Sequence, residues 1–259
     1  MRVVRFALRG KARYGVLENG VIRGLTGSPF ERAISARSWD GSEYPAQDMR
    51  LLAPCVPSKI IGLGVNYESH IEETGIPRPA APLIFLKPST AVIGPDETIL
   101  LPWFARRVDY EGELGVVIGR KARHVSEESV PEYVLGYTCV NDVTERHNQK
   151  EDGQWTRAKS YDTFAPLGPW IETEVEPDDL LLETFVNGEL RQSARTSGLI
   201  FGIGKLVSFI SHVMTLLPGD VIATGTPAGI GRLSAGDVVE IRIEKIGILR
   251  NAVARLEEP

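Results

Sequence analysis

Glycine and proline interrupt this chain so often that few long elements fit between them. The 26 glycines and 17 prolines make up about 17% of the 259 residues, against an average nearer 12%. That density suits many short strands joined by turns. Residues 3–7, 13–16 and 21–25 carry strand character, with Glu18-Asn19-Gly20 as a hairpin turn. Short strands are also expected at 59–63, 83–87, 114–118, 134–140, 182–186, 221–224 and 238–243. One segment reads firmly as helix. Ile203, Leu206, Val207, Ile210, Met214 and Leu217 recur on one helical face until Pro218-Gly219 stops it. A shorter helix is expected over 66–73, after the glycines at 62 and 64. Few helices between strands favour an antiparallel or mixed β-sandwich or roll over βαβ units. Leu52-Ala53-Pro54 and Pro57 mark a linker, so residues 1–53 read as a small N-terminal domain and 54–259 as the main domain.

Composition narrows the function classes. Charged residues at 24% and hydrophobic ones at 42% fit a globular protein rather than a disordered, coiled-coil or membrane chain. The net charge of −5 gives no footprint for a phosphate backbone, so nucleic acid is not an expected partner. Arg2, Arg5, Arg9, Lys11 and Arg13 break up the N-terminus and argue against a signal peptide. Lys205, Ser208, Ser211 and His212 interrupt the most apolar stretch, so no membrane span is expected either. Cys55 and Cys139 stand alone, without metal spacing, and read as buried hydrophobes in a reducing compartment, the cytoplasm. Neither Gly-Lys pair has the remaining residues of a P-loop.

The chemistry concentrates in Val108-Asp-Tyr-Glu-Gly-Glu-Leu-Gly-Val-Val-Ile-Gly119. On a strand, Glu111 and Glu113 share a face, and Gly112 keeps the opposite face thin. They lead directly into an apolar run that reads as buried on both sides. Two like charges entering a core together are costly unless a cation lies between them. Asp142, at the end of the strand expected over 134–140, offers a third carboxylate. Such an all-oxygen set favours Mg²⁺ or Mn²⁺ over zinc or copper. The competing reading is a solvated strand edge, where acidic pairs are common. Asp109 shares the alternation but reads as a supporting or surface group. His70 and Glu73, three apart, fall on one face of a helical turn, where the carboxylate can orient the imidazole. His124, His147 and His212 carry no such pattern.

Taken together, these residues resemble the fumarylacetoacetate hydrolase family. The resemblance spans about residues 59–253 and rests on seven ordered blocks. They are Gly62-Leu-Gly-Val-Asn-Tyr-Glu-Ser-His-Ile-Glu-Glu73, Phe85-Leu-Lys-Pro-Ser-Thr90, Asp109-Tyr-Glu-Gly-Glu-Leu114, Asn141-Asp-Val-Thr144, Ala158-Lys-Ser-Tyr-Asp162, Gly168-Pro-Trp170 and Thr224-Gly-Thr-Pro-Ala-Gly229. It implies a single-repeat, prokaryotic-type enzyme with an α+β, mainly β fold. The main domain would be a mixed β-sandwich roll, preceded by a small α/β domain. It also implies a metal held by Glu111, Glu113 and Asp142, a His70–Glu73 dyad that activates water, and Lys159 near the substrate carbonyl. Arg146 and Gln149 resemble contacts to the substrate carboxylate and carbonyl, and Thr226 a hydroxyl donor to the carboxylate. Lys87 reads as structural or supporting. Two departures are expected near the pocket mouth. The stretch between Gln149 and Lys159 is shorter than in acylpyruvase-like members, and Glu145 replaces a small residue.

The resemblance implies Mg²⁺, with Mn²⁺ as the alternative, and homodimers, and leaves open whether these pair further into tetramers. The expected activity is hydrolysis of a C–C bond in a 2,4-dioxo acid, an acylpyruvate or a fumarylpyruvate or fumarylacetoacetate-like dicarboxylate, through a metal-stabilised enolate. Alternatives are an isomerase or decarboxylase of the 2-hydroxyhepta-2,4-diene-1,7-dioate type in aromatic-compound catabolism, and an oxaloacetate decarboxylase or tautomerase. A noncatalytic oxoacid-binding protein is the rival of a different class.

Overall fold

A computed structural model describes residues 1–31, 34–35 and 38–258. The chain opens with β1 (Arg2–Leu8), β2 (Lys11–Glu18), β3 (Val21–Leu25), β4 (Trp39–Pro45) and β5 (Arg50–Leu52). The expected hairpin forms, with Glu18 paired to Val21 across Asn19 and Gly20. The link from β4 to β5 is too short for an α-helix and holds one 3-10 turn, Ala46–Asp48. No α-helix of the expected α/β kind occurs among the described residues of this part.

The chain continues through β6 (Lys59–Gly64), α1 (Glu68–Thr74), β7 (Leu83–Pro88), β8 (Val92–Ile93) and β9 (Ile99–Leu101). Next come β10 (Val108–Tyr110), β11 (Gly112–Ile118), β12 (Val134–Asn141), β13 (Thr144–Glu145), α2 (Arg146–Asp152) and α3 (Thr156–Lys159). The last elements are β14 (Ala165–Glu172), β15 (Leu181–Val186), β16 (Glu189–Arg195), α4 (Ile203–Val213), β17 (Val221–Ala223), β18 (Gly231–Arg232), β19 (Val238–Ile243) and β20 (Gly247–Arg255).

The largest sheet runs β4-β3-β2-β1-β14-β12-β11-β17-β6-β7, with β5 added on β1 and β8 on β14. Its β17–β6 and β14–β8 pairs are parallel and most others antiparallel, which makes it a mixed sheet. A second sheet runs β16-β15-β19-β20-β9, and a small one β13-β10-β18. The N-terminal strands join the main sheet through β1, where Arg2 lies opposite Glu172 and Val3 opposite Ile171.

β11 explains how the layers hold together. All seven of its residues are buried. Leu114, Val116 and Ile118 pack into a core shared with Leu182, Ile241 and Leu249 of the second sheet. Val117 points the other way and meets Val3, Ile60 and Leu167. Burying such a side chain is worth about 1.5–3 kcal/mol, so a strand apolar on both faces is held firmly at the centre. That rigid strand carries the acidic pair at its start.

α4 buries Ile203, Leu206, Val207 and Ile210, as its periodicity predicts, but ends at Val213 rather than at Leu217. Met214 is extended, and Leu216 exchanges two backbone hydrogen bonds with Ala122, each 3.0 Å long. Bridge pairing therefore takes over the last turn that the apolar spacing suggested. No helix among the described residues is long and apolar enough to cross a membrane. Cys55 and Cys139 are free and buried, and burial pushes both thiols up to about 12.

Candidate active site

Glu111 occupies the step between β10 and β11, where the chain leaves the small sheet and enters the large one. The expected unbroken strand is thus interrupted at this residue, yet both glutamates still reach the same place. Asp142 follows the last residue of β12, which lies beside β11 with Gly112 opposite Asn141. Two hydrogen bonds fix this junction. Glu111 N–H donates to Asn141 Oδ1 at 3.0 Å, and Asp142 N–H donates to the Glu111 carbonyl at 2.9 Å. One carboxylate oxygen from each of Glu111, Glu113 and Asp142 lies within 4.8 Å of the others, and all three residues are buried. Gly112 is required here, because a Cβ on it would stand 2.2 Å from Thr184 Oγ1.

Cations surround two of the three acids. Lys159, at the end of α3, places Nζ 2.7 Å from Glu111 Oε2 and 2.7 Å from Asp142 Oδ2. Lys87, fully buried on β7, pairs with Asp142 and donates to the Val143 carbonyl at 3.1 Å. Arg146 meets Glu111 at 2.5 Å and Asp109 at 2.9 Å. Glu113 has no ion-pair partner among the described residues; Gly225 N–H donates to it at 2.8 Å.

The electrostatics follow from this uneven pairing. Burial works against the charge of Glu111, but Arg146 and Lys159 outweigh it and hold the carboxyl far below its usual range. Burial, then the charges of Asp142 and Glu111, push Glu113 well above that range. Burial opposes the charge of Lys159 too, yet Asp142 and Glu111 more than offset it and raise its pKa. Lys87 is lowered by burial, which its pairing with Asp142 does not fully counter. A buried, oxygen-only set with one acid lacking a counter-charge fits a hard divalent cation.

A cleft of about 610 Å³ opens over these groups, walled by Leu63, Val65, Ile76, Trp155 and Ile230. His70, Arg146, Gln149, Lys159 and Thr226 also line it together with Glu111 and Glu113, while Asp142 and Glu73 adjoin these residues without lining the cleft. His70 Nδ1 lies 3.1 Å from Glu73 Oε2 within α1. The other Glu73 oxygen accepts from Gly229 N–H at 3.0 Å, which ties the dyad to the loop after β17. Arg146 Nη1 donates to Gln149 Oε1 at 3.0 Å. This contact leaves the Gln149 amide nitrogen as the donor available to a ligand. Thr226 donates its hydroxyl to the Gly112 carbonyl at 2.9 Å.

Supporting groups surround these residues, and Asp109 proves to be the supporting rather than the surface group of its two expected readings. Asp109 is fully buried and joins Arg146 to Arg107, whose Nε and Nη2 contact it at 2.9 and 3.0 Å. The Asp-x-Glu-x-Glu alternation is the signal that points to Asp109. Asn66 bridges the Phe201 backbone and the Thr224 carbonyl, with no sequence cue beyond its loop position. Glu145 does not reach the pocket mouth. It caps α2 by accepting from Asn148 N–H at 2.6 Å, an i to i+3 cap that the sequence does contain. His124 and His212 remain exposed.

The family profile described as Fumarylacetoacetate (FAA) hydrolase C-terminal matches residues 59–254, and that described as Rv2993c-like, N-terminal matches residues 1–54. The chain is 40% identical over 274 residues to 2,4-didehydro-3-deoxy-L-rhamnonate hydrolase of Sphingomonas sp. (strain SKA58), covering 98% of this chain and 96% of that one. It is similar to the crystal structure of 2-hydroxyhepta-2,4-diene-1,7-dioate isomerase from Mycobacterium marinum, at 46% identity and TM-score 0.92 over 100% of each chain. A maleylpyruvate hydrolase from Sphingobium sp. SYK-6, in complex with manganese(II) and pyruvate, aligns at 31% identity and TM-score 0.82, covering 99% of this chain and 100% of that one.

Proposed function

Since this chain belongs to the fumarylacetoacetate hydrolase family, whose members include hydrolases and isomerases, we propose that it is a Mg²⁺-dependent hydrolase breaking a C–C bond of a 2,4-dioxo acid. The observation that carries this reading is the meeting of a His70–Glu73 pair, a paired Lys159 and three carboxylates at one cleft. A dyad for water activation has a use in hydrolysis that simple proton shuffling lacks. The rhamnonate relative supports the same class, an acid oxidised at C2 and C4.

Glu111, Glu113 and Asp142 would hold the ion, which when bound supplies Lewis-acid polarisation of the 2-oxo group. Glu73 orients the imidazole through Nδ1, leaving the Nε2 of His70 to take a proton from water. The resulting hydroxide adds to the distal carbonyl, and scission of the adjoining C–C bond leaves the electron pair on the pyruvate-like fragment as an enolate. Lys159 offsets that charge. Arg146 donates from Nε to Asp109 and from Nη1 to Gln149, while its Nη2 is ion-paired with Glu111 without a hydrogen bond, so it offers its remaining N–H groups to the substrate carboxylate. The amide nitrogen of Gln149 serves the carbonyl, and the hydroxyl of Thr226 the carboxylate.

On the same reading the substrate is an acylpyruvate or fumarylpyruvate-like dicarboxylate, and Mn²⁺ is the competing ion, as the manganese of the maleylpyruvate hydrolase suggests. The working unit is a cytoplasmic homodimer with residues 1–53 as a distinct domain. A second reading, isomerisation of a 2-hydroxyhepta-2,4-diene-1,7-dioate in aromatic-compound catabolism, is favoured by the full-length likeness to the isomerase structure. Acetylpyruvate, fumarylpyruvate and the heptadienedioate, each assayed with Mg²⁺ and with EDTA, separate the two. Pyruvate released from the first two only with Mg²⁺ is the expected result. Loss of heptadienedioate absorbance with no pyruvate from any substrate would establish the isomerase instead.

A further inference from the structure

β16 is a polar strand on the second sheet, and Gln192 is its one buried residue, 1% exposed. Its carboxamide reaches across to the other sheet. Oε1 accepts from Gly112 N–H at 3.0 Å and from Thr184 Oγ1 at 2.7 Å. Nε2 donates to Thr226 Oγ1 at 2.8 Å and to the Pro227 carbonyl at 2.9 Å. A backbone N–H can only donate and a carbonyl can only accept, so these partners fix which end of the amide is which. All four of its hydrogen-bonding positions are filled.

This arrangement sets the polarity of a cleft residue. Because Thr226 Oγ1 accepts from Gln192, its own proton must point elsewhere, and it now goes to the Gly112 carbonyl. Gly112 N–H, Gln192 and Thr226 therefore close a ring of three hydrogen bonds around the residue between Glu111 and Glu113. An anion entering the cleft can claim the same hydroxyl proton without any reversal of the ring's direction.

We propose that Gln192 is a positioning residue: from the opposite sheet it fixes Thr226 as a proton donor toward the substrate carboxylate. The inference rests on the proposed reading of the cleft as a 2-oxoacid site. Replacement of Gln192 by Met keeps the length but removes both donors, so Thr226 loses the contact that orients it.

The test is a double-mutant cycle read through oxalate, a small planar dicarboxylate, binding to the full chain with Mn²⁺ present. Thr226→Val and Gln192→Met are each expected to weaken oxalate at least tenfold, and Gln192→Met to change it less than twofold once Thr226 is already Val. Equal weakening by Gln192→Met in both backgrounds, or none in the wild type, overturns the proposal. Should Gln192→Met fail to fold, Gln192→Glu at pH 8 carries the test. A carboxylate there accepts from Thr226 and withdraws its proton from the cleft, so undiminished oxalate binding overturns the proposal and tenfold weaker binding supports it. If wild-type protein shows no Mn²⁺-dependent oxalate binding, the reading of the cleft itself has failed, and the proposal falls with it.

Discussion

The ammonium of Lys159 sits 2.7 Å from the carboxylate of Glu111, so a residue proposed to hold the ion is already partly neutralised by the chain. Replacing Lys159 by Met is expected to lower kcat by roughly 10²–10³-fold, the usual cost of losing one charge stabiliser in a water-poor site. Mn²⁺ affinity should hold or tighten, because Glu111 and Asp142 then keep their full charge. Electron paramagnetic resonance of free Mn²⁺ measures this beside turnover. A parallel loss of both would show that Lys159 serves only to assemble the acids.

The proposed role of Glu113 as a ligand makes a pH-dependent effect of the ion on stability the expected outcome. Its folded pKa is raised, first by burial and then by Asp142 and Glu111, from an ordinary value of 4.5. An acid raised in this way binds its proton more tightly when folded. Its contribution is therefore complete below about pH 4.5 and is lost as pH climbs through the raised value. Mg²⁺ needs the ionised form, so it should raise Tm more at pH 8 than at pH 5. An equal rise at both, measured by calorimetry, would contradict the assignment of Glu113 as a ligand. Glu113→Gln should abolish the difference.

The two halves of the dyad are expected to rank differently. Removing His70 takes away the base itself, so His70→Ala should lower kcat by about 10²–10⁴-fold. Glu73→Ala removes the orienting carboxylate but presents no donor to Nδ1, so Nε2 of His70 can still accept a proton, and it should cost kcat clearly less. Steady-state kinetics on the substrate identified by pyruvate release would check the order. If Glu73→Ala were the more damaging change, Glu73 would have to be the base.

Trp155 offers a test of the apolar wall. A Cβ at Gly64 would stand 2.4 Å from its ring, and that ring also packs edge-on against Phe85 with centroids 5.5 Å apart. Gly64→Ala must displace Trp155 or the strand, at a cost of about 1–3 kcal/mol. A Tm lower by several degrees and a several-fold higher KM are expected. An unchanged KM beside a lower Tm would mean that the wall does not touch substrate.

Spacing pointed to the acids and to the His70–Glu73 pair, because their geometry is local, whereas Lys159, Arg146, Gln149 and Thr226 rested on the family resemblance. Glu111, Gly112 and Glu113 needed only strand alternation and an apolar sequel, and His70 and Glu73 only a helical turn. Asp142 was visible as the end of an apolar strand. Gln192 was not, since its neighbours on β16 are polar and nothing local separates the one that turns inward. The partners of Lys87 share that problem, because Asp142 and Val143 lie 55 and 56 residues further along the chain. The end of α4 misled for the opposite reason. Met214 and Leu217 keep helical spacing, but Leu216 is captured by Ala122 from far along the chain.

The pairing of β1 with β14 bears on how this protein can be shortened. Cutting at the linker near Pro54 would remove β1 and bare the edge of β14 around Ile171, in the middle of a sheet rather than at its rim. Such an uncapped edge invites other strands to add on. The N-terminal segment therefore acts as a seal on the main sheet, and a truncated enzyme would risk self-association before it lost any residue of the cleft.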